Sequence, residues 1–89
     1  MPKSIIMYSA RLCGDCQALK AFMDAHGILY ILRDIRENPD YALELESQTG
    51  KLGVPYLVID GQWIRGYEPG KPFSEDFARK LLGLTDLPG

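Results

Sequence analysis

The sequence lacks a strong excess of charge, long apolar runs and a leader pattern. These are the features expected of a protein that binds a polyanion or inserts into a membrane. Its 89 residues carry 12 acidic and 10 basic side chains, for a net charge of −2. That balance gives no basic footprint for nucleic acid or anionic lipid. No apolar run approaches the roughly 18 residues of a membrane span, and the N-terminus has no signal-peptide pattern. We therefore expect a soluble, cytoplasmic protein that binds neither nucleic acid nor membrane.

Cysteine is also scarce, because Cys13 and Cys16 are the only two in the chain. A secreted mini-protein uses more cysteines, spread so that they staple distant segments. A bridge across two intervening residues closes too short a loop to restrain the unfolded chain strongly. A structural zinc ion needs further ligands, and the only histidine, His26, is expected at the far end of a helix. The pair is thus better placed for redox chemistry than for stability, and no metal site is predicted.

The length of the chain predicts a single domain over residues 1–89, because a chain of this length has no room for a second core. Branched and aromatic runs predict strands, and Asp60-Gly61 between two of them is typical of a hairpin turn. N-cap residues such as Asn38 and Ser74 and closing glycines predict the helix ends. The predicted strands are 4–9, 28–32, 56–59 and 62–65, and the predicted helices are 16–25, 39–49 and 75–82. Residues 84–89 are expected to form a loose tail.

The two cysteines come between the first strand and the first helix, which makes them candidates for thiol–disulfide exchange. A helix N-terminus stabilises the reactive thiolate, since backbone N–H groups and the positive end of the dipole lie beside the sulfur. Arg11 would add a positive charge near Cys13, whereas the carboxylate of Asp15 disfavours a neighbouring thiolate. We therefore predict Cys13 as a nucleophile with a lowered pKa that Asp15 tunes. Cys16, one turn into the helix, is predicted as the less exposed resolving thiol.

With its elements in the order β-α-β-α-β-β-α, the chain resembles the glutaredoxin family over nearly its full length. The residues that carry the resemblance are the strand 5–9, the segment Cys13-Gly14-Asp15-Cys16-Gln17-Ala18-Leu19-Lys20, Val54-Pro55, Asp60-Gly61 and Gly66. The resemblance implies an α/β thioredoxin-like (glutaredoxin) fold. In that fold a mixed four-stranded sheet carries helices on both faces.

The resemblance also implies a binding site around the cysteines. In this family the proline that matches Pro55 is cis and faces the nucleophile. The backbone of the residue that matches Val54 then pairs with an extended substrate or with glutathione. The loop after the last strand matches positions that hold the far carboxylate of glutathione through backbone N–H groups. The predicted substrate- or glutathione-binding residues are Arg11, Leu12, Val54, Pro55, Gly66, Tyr67 and Glu68.

Departures from the family pattern bear on the electron donor. Gly14 and Asp15 replace the usual proline and tyrosine, and Ala10 replaces a lysine. The late loop Arg65-Gly66-Tyr67-Glu68-Pro69 resembles that of redoxins which serve ribonucleotide reductase and are reduced by thioredoxin reductase. Both glutathione and thioredoxin reductase are therefore candidate electron sources.

The predicted function is that of a thiol–disulfide oxidoreductase, which reduces protein disulfides or glutathione mixed disulfides through its dithiol. Its partners would be disulfide-containing proteins, and it would act as a monomer without a tightly bound cofactor. One alternative is a glutathione-assisted [2Fe–2S] carrier, in which Cys13 of two chains supplies the protein ligands. The other is a non-catalytic binding module that keeps the fold.

Overall fold

The computed structural model describes residues 4–84 of the chain. Four strands and three helices follow one another in the predicted order β-α-β-α-β-β-α, which is confirmed. No helix in this described part is long and apolar enough to cross a membrane. The elements are β1 (Ile5–Ser9), α1 (Gly14–Ala25), β2 (Ile31–Asp34), α2 (Pro39–Thr49), β3 (Tyr56–Ile59), β4 (Gln62–Arg65) and α3 (Glu75–Leu81).

The strands form one mixed sheet in the order β2-β1-β3-β4. The central strand β1 pairs in parallel with β2 and antiparallel with β3, and β3 pairs antiparallel with β4. The parallel pair requires a crossover connection, which α1 supplies. Asp60 and Gly61 join β3 to β4 with φ angles of 49° and 86°. Positive φ at both central positions is the geometry of a tight hairpin turn, so the predicted hairpin is confirmed.

The helices lie on both faces of the sheet, as the resemblance implied. On one face, α1 and α3 cover a core that includes Met7, Leu19, Met23 and Leu57, all with no exposed surface. On the other face α2 buries Leu45 among residues of the central strands. Two layers of helix therefore bury the sheet and fix the strand ends that carry the loops of the site.

Tyr8 joins the sheet to α2 through its hydroxyl group. The hydroxyl donates to Glu44 Oε1 at 2.8 Å and accepts from Arg33 Nη1 at 2.9 Å. Burial, followed by the hydrogen bond to Glu44, raises the pKa of Tyr8 above its usual value. The Trp63 ring stacks on Tyr8 with centroids 5.1 Å apart. Trp63 therefore packs against the sheet.

Several predicted boundaries were wrong. β1 begins at Ile5 and not at residue 4, α1 begins at Gly14 and not at residue 16, β2 ends at Asp34 and not at residue 32, and α3 ends at Leu81 and not at residue 82. The second strand begins at Ile31 and not at residue 28, because the chain first turns to bury Ile28 against the end of α1. There the Ile28 N–H donates to the Met23 carbonyl at 2.9 Å. Leu84, predicted as the start of a loose tail, packs on the core, and its N–H donates to the Arg79 carbonyl at 2.8 Å. The rest of that predicted tail, residues 85–89, lies outside the described residues.

Candidate active site

Cys13 is the N-cap residue of α1. Its backbone is extended, with φ −103° and ψ 115°, and its Sγ accepts a hydrogen bond from the Cys16 N–H at 3.1 Å. The sulfur thus takes the place that a serine or aspartate oxygen occupies in ordinary caps. Because the first N–H groups of a helix have no partner in the helix, this position favours a negative sulfur. The predicted location at the mouth of the helix is confirmed.

Cys13 and Cys16 differ in exposure and are joined by a disulfide bond. Cys16 has no exposed surface and belongs to the core cluster below α1, whereas Cys13 is half-buried. An incoming disulfide can therefore reach Cys13 first, and Cys16 is shielded behind it. The predicted difference in exposure between the two residues is confirmed.

The loop before β3 faces Cys13. The Val54–Pro55 peptide bond is cis, and the Val54 carbonyl oxygen lies 3.8 Å from Cys13 Sγ. Pro55 is buried. The geometry that the resemblance implied for these two residues is therefore present.

Gly66 fixes this loop through a backbone hydrogen bond. Its N–H donates to the Pro55 carbonyl at 3.0 Å. A Cβ at position 66 would meet that same oxygen at 2.9 Å and Leu19 Cδ2 at 3.3 Å. The Gly66 N–H is therefore engaged by Pro55, although the resemblance assigned it to a glutathione carboxylate. The N–H groups of Tyr67 and Glu68, by contrast, donate to no residue between 4 and 84.

The side chain of Tyr67 packs over Gly53, in the loop that precedes the cis bond. A Cβ at Gly53 would lie 2.5 Å from the Tyr67 hydroxyl oxygen, so the glycine makes room for the phenol. Arg65 Nε donates to the Tyr67 carbonyl at 3.2 Å, and the guanidinium lies 5.6 Å from the centre of the tyrosine ring. Sequence reasoning attached no such role to Gly53, because only the fold brings residues 53 and 67 together.

The guanidinium of Arg11 pairs with Glu37 and not with the cysteine sulfur. Its Nη2 lies 2.6 Å from Glu37 Oε2, in an ion pair whose side chains are 71% and 59% exposed. The hydrogen bond to Glu37, then its charge, raises the pKa of Arg11. Leu12 beside it is 85% exposed and is the large apolar side chain next to the nucleophile. Nothing in the sequence pairs Glu37 with residue 11, so this ion pair could not be predicted.

Other predicted site residues meet beside the first turn of α1. One cleft is lined by Asp15, Gly66, Tyr67 and Glu68, together with residues that lead into α3. Within residues 4–84 no cluster of three or more histidine, cysteine, aspartate or glutamate side chains could hold a metal ion. His26 lies at the opposite end of α1, with its ring stacked on Phe22 and Nδ1 2.9 Å from the Phe22 carbonyl oxygen.

Gly66→Ala should destabilise the protein, because its methyl group would press on the Pro55 carbonyl. We expect the free energy of unfolding, measured with urea, to fall by about 1–3 kcal/mol. Gly14→Ala is the matched control, since a Cβ there meets nothing within 4 Å. That control should stay within about 0.5 kcal/mol of the wild type, or gain stability. Equal losses in the two variants would contradict the packing described for Gly66.

A family model described as glutaredoxin matches residues 5–64. Among solved structures, a single-substitution variant of the thioredoxin-like protein BC3987 superposes with a TM-score of 0.72 at 23% identity, covering 91% of this chain and 96% of that one. The glutaredoxin from Archaeoglobus fulgidus gives 0.67 at 21% identity, with 92% and 87% covered. The holo form of glutaredoxin C1 from Populus tremula × tremuloides gives 0.64 at 20%, with 91% and 75% covered. No curated protein sequence matches.

Proposed function

The chain belongs to the glutaredoxin family, and from that premise we propose that it is a dithiol oxidoreductase that reduces disulfide bonds in other proteins. One observation carries the proposal. Cys13 is half-buried at the mouth of α1 and its sulfur accepts the Cys16 N–H at 3.1 Å, while Cys16 is fully buried beside it. A thiolate held in this way is nucleophilic near neutral pH. The proposal places the activity in the cytoplasm, where the reductant pools keep dithiols reduced.

The exchange proceeds in two substitutions at sulfur. The Cys13 thiolate attacks one sulfur of the substrate disulfide, forms a mixed disulfide and releases the other sulfur as a thiolate. Cys16 then loses its proton and attacks Cys13 Sγ, which releases the second substrate thiol and leaves the Cys13–Cys16 disulfide of this structure. Two electrons pass from the protein dithiol to the substrate. An external reductant must then restore both thiols.

The substrate would bind along the loop that contains the cis peptide bond. Val54 is half-buried with its carbonyl beside Cys13, so an extended segment on either side of the substrate cysteine can hydrogen-bond to its backbone. Main-chain pairing of this kind provides affinity that depends little on sequence. Leu12 offers an exposed apolar contact next to the nucleophile.

Replacing either cysteine separates the two roles. Cys13→Ser should abolish exchange with a protein disulfide, because no nucleophile is left at the surface. Cys16→Ser should leave the first attack intact and accumulate the mixed disulfide on Cys13. Non-reducing mass spectrometry of protein mixed with a disulfide-containing substrate measures both outcomes.

Full dithiol turnover in the Cys13→Ser variant would overturn the proposal. A non-catalytic module would instead keep its cellular role in that variant. A [2Fe–2S] carrier would be recognised by visible absorbance after anaerobic purification, which the oxidoreductase proposal does not require.

We further propose thioredoxin reductase as the electron donor in preference to glutathione. Glutathione carries two carboxylates, which proteins hold with cations or backbone N–H groups. Here Arg11 is engaged by Glu37 at 2.6 Å, and the Gly66 N–H is engaged by Pro55. These two engagements occupy groups that the resemblance assigns to glutathione binding, and neither obstructs attack by another protein's dithiol.

The coupled consumption of NADPH with a small disulfide tests the choice of donor. We expect faster turnover with thioredoxin reductase than with glutathione and glutathione reductase. Glu37→Gln should raise the glutathione-dependent rate, because it frees Arg11, and should leave the other rate unchanged. Glu75→Gln breaks the Arg79 ion pair on α3 and serves as the control. Turnover through glutathione alone would refute this choice of donor and leave the dithiol mechanism standing.

A further inference from the structure

A cationic cleft lies beside the loop that precedes the cis bond. We define the cationic cleft by its lining residues, which are Thr49, Lys51, Gly53, Tyr56, Arg65 and Tyr67. It is open to solvent. Tyr56 and Arg65 face each other across the β3–β4 pair, so one wall of the cleft belongs to the sheet.

The positive charges of this cleft have no acidic partner within the described chain. No aspartate or glutamate lines it. The ion pairs among residues 4–84 join Arg11 to Glu37, Arg33 to Glu44 and Arg79 to Glu75, and thus leave out Lys51 and Arg65. Lys51 and Arg65 are thus two cations without an ion-pair partner among residues 4–84, in a chain of net charge −2. Lys51 and Arg65 form a locally positive site on a protein whose net charge is negative.

Arg65 is held in position for a ligand. Its Nε donates to the Tyr67 carbonyl at 3.2 Å, and its guanidinium lies 5.6 Å from the tyrosine ring centre. The terminal guanidinium nitrogens make no hydrogen bond to residues 4–84. A guanidinium whose orientation is already fixed binds a carboxylate with less loss of side-chain entropy than a free one.

The cleft and the site of exchange share the loop that precedes β3. Gly53 lines the cleft, and the next residue is Val54, whose carbonyl oxygen lies 3.8 Å from Cys13 Sγ. An extended peptide advances by about 3.3 Å per residue. The flank of the substrate that runs toward Gly53 is therefore the one that would approach Lys51 and Arg65.

We infer that the cationic cleft selects substrates with aspartate or glutamate a few residues to one side of the reactive cysteine. The inference rests on the proposed disulfide reductase function and names its substrate class. The carboxylates would pair with Lys51 and Arg65, and the rings of Tyr56 and Tyr67 would cover the aliphatic part of the acidic side chain. Neutral substrates would still react, because the main-chain contacts at Val54 do not depend on charge.

Peptide disulfides test this selectivity without any reductase. Each substrate is a disulfide-linked dimer of a single-cysteine peptide, with glutamates on the N-terminal flank, glutamates on the C-terminal flank, or glutamines on both. The fully reduced protein is mixed with each dimer, and the released peptide thiol is followed in time. One of the two acidic dimers should react about three to ten times faster than the neutral one. The advantage should shrink at high salt.

Charge variants of the cleft identify its source. Lys51→Gln and Arg65→Gln should each reduce the preference, and the double variant should abolish it. Lys80→Gln, an exposed position on α3 outside the cleft, removes the same charge and should keep the preference. Combining Lys51→Glu with Arg65→Glu should transfer the preference to lysine-flanked dimers. Circular dichroism verifies that each variant is folded.

The neutral dimer separates failure of the inference from failure of the proposed function. If wild-type protein reduces that dimer but shows no acidic preference, the inference is overturned and the disulfide reductase function stands. Equal acceleration from both flanks, or a preference that survives the double glutamine variant, also overturns it. If the wild type reduces no dimer at all, the proposed function and the inference both fall.

Discussion

One hydrogen bond, from the Cys16 N–H to Cys13 Sγ at 3.1 Å, underlies the rest of the site. It makes the sulfur of Cys13 the cap of α1, so the atom that reacts is also the atom that begins the helix. A capping atom cannot move far without exposing unpartnered N–H groups. The position of the nucleophile is therefore set by the position of the helix. The dipole that stabilises its negative charge comes from the same element.

The core keeps that helix fixed relative to the loop that faces it. Cys16, Leu19 and Met23 have no exposed surface and attach α1 to the sheet through the central strands. On the opposite side of the Cys13 sulfur, the Pro55 carbonyl accepts a hydrogen bond from the Gly66 N–H. Cys13 and the cis-peptide loop, which we propose as nucleophile and substrate-binding backbone, are thus each attached to the core, by α1 and by the Gly66 hydrogen bond respectively.

Much of this could be predicted from the sequence because the signals are local. The caps at Asn38 and Ser74, the Asp60-Gly61 turn and the two cysteines each act through residues a few positions away. The start of β2 was predicted too early, because the apolar run beginning at Ile28 looks continuous although its first residue packs below α1. A run of apolar residues cannot distinguish a strand from a buried turn.

The electrostatics of the site could not be predicted, because they depend on contacts that cross the fold. Arg11 and Glu37 are 26 residues apart, and sequence reasoning assigned the charge of Arg11 to the nucleophile. The cationic cleft likewise joins the end of α2 to the loop after β4. Pairings between distant side chains follow from sheet order and loop path, which no periodic pattern encodes.

The most direct measurement of the central claim is the pKa of Cys13, taken from the ultraviolet absorbance of the thiolate against pH. The Cys16→Ser variant is the protein to use, so that a single thiol titrates in the folded chain. Capping by α1 predicts a pKa below the ordinary value of about 8.5, with a return to that value when the protein is unfolded in urea. A pKa at or above the ordinary value in the folded protein would contradict the claim that the helix stabilises the nucleophile.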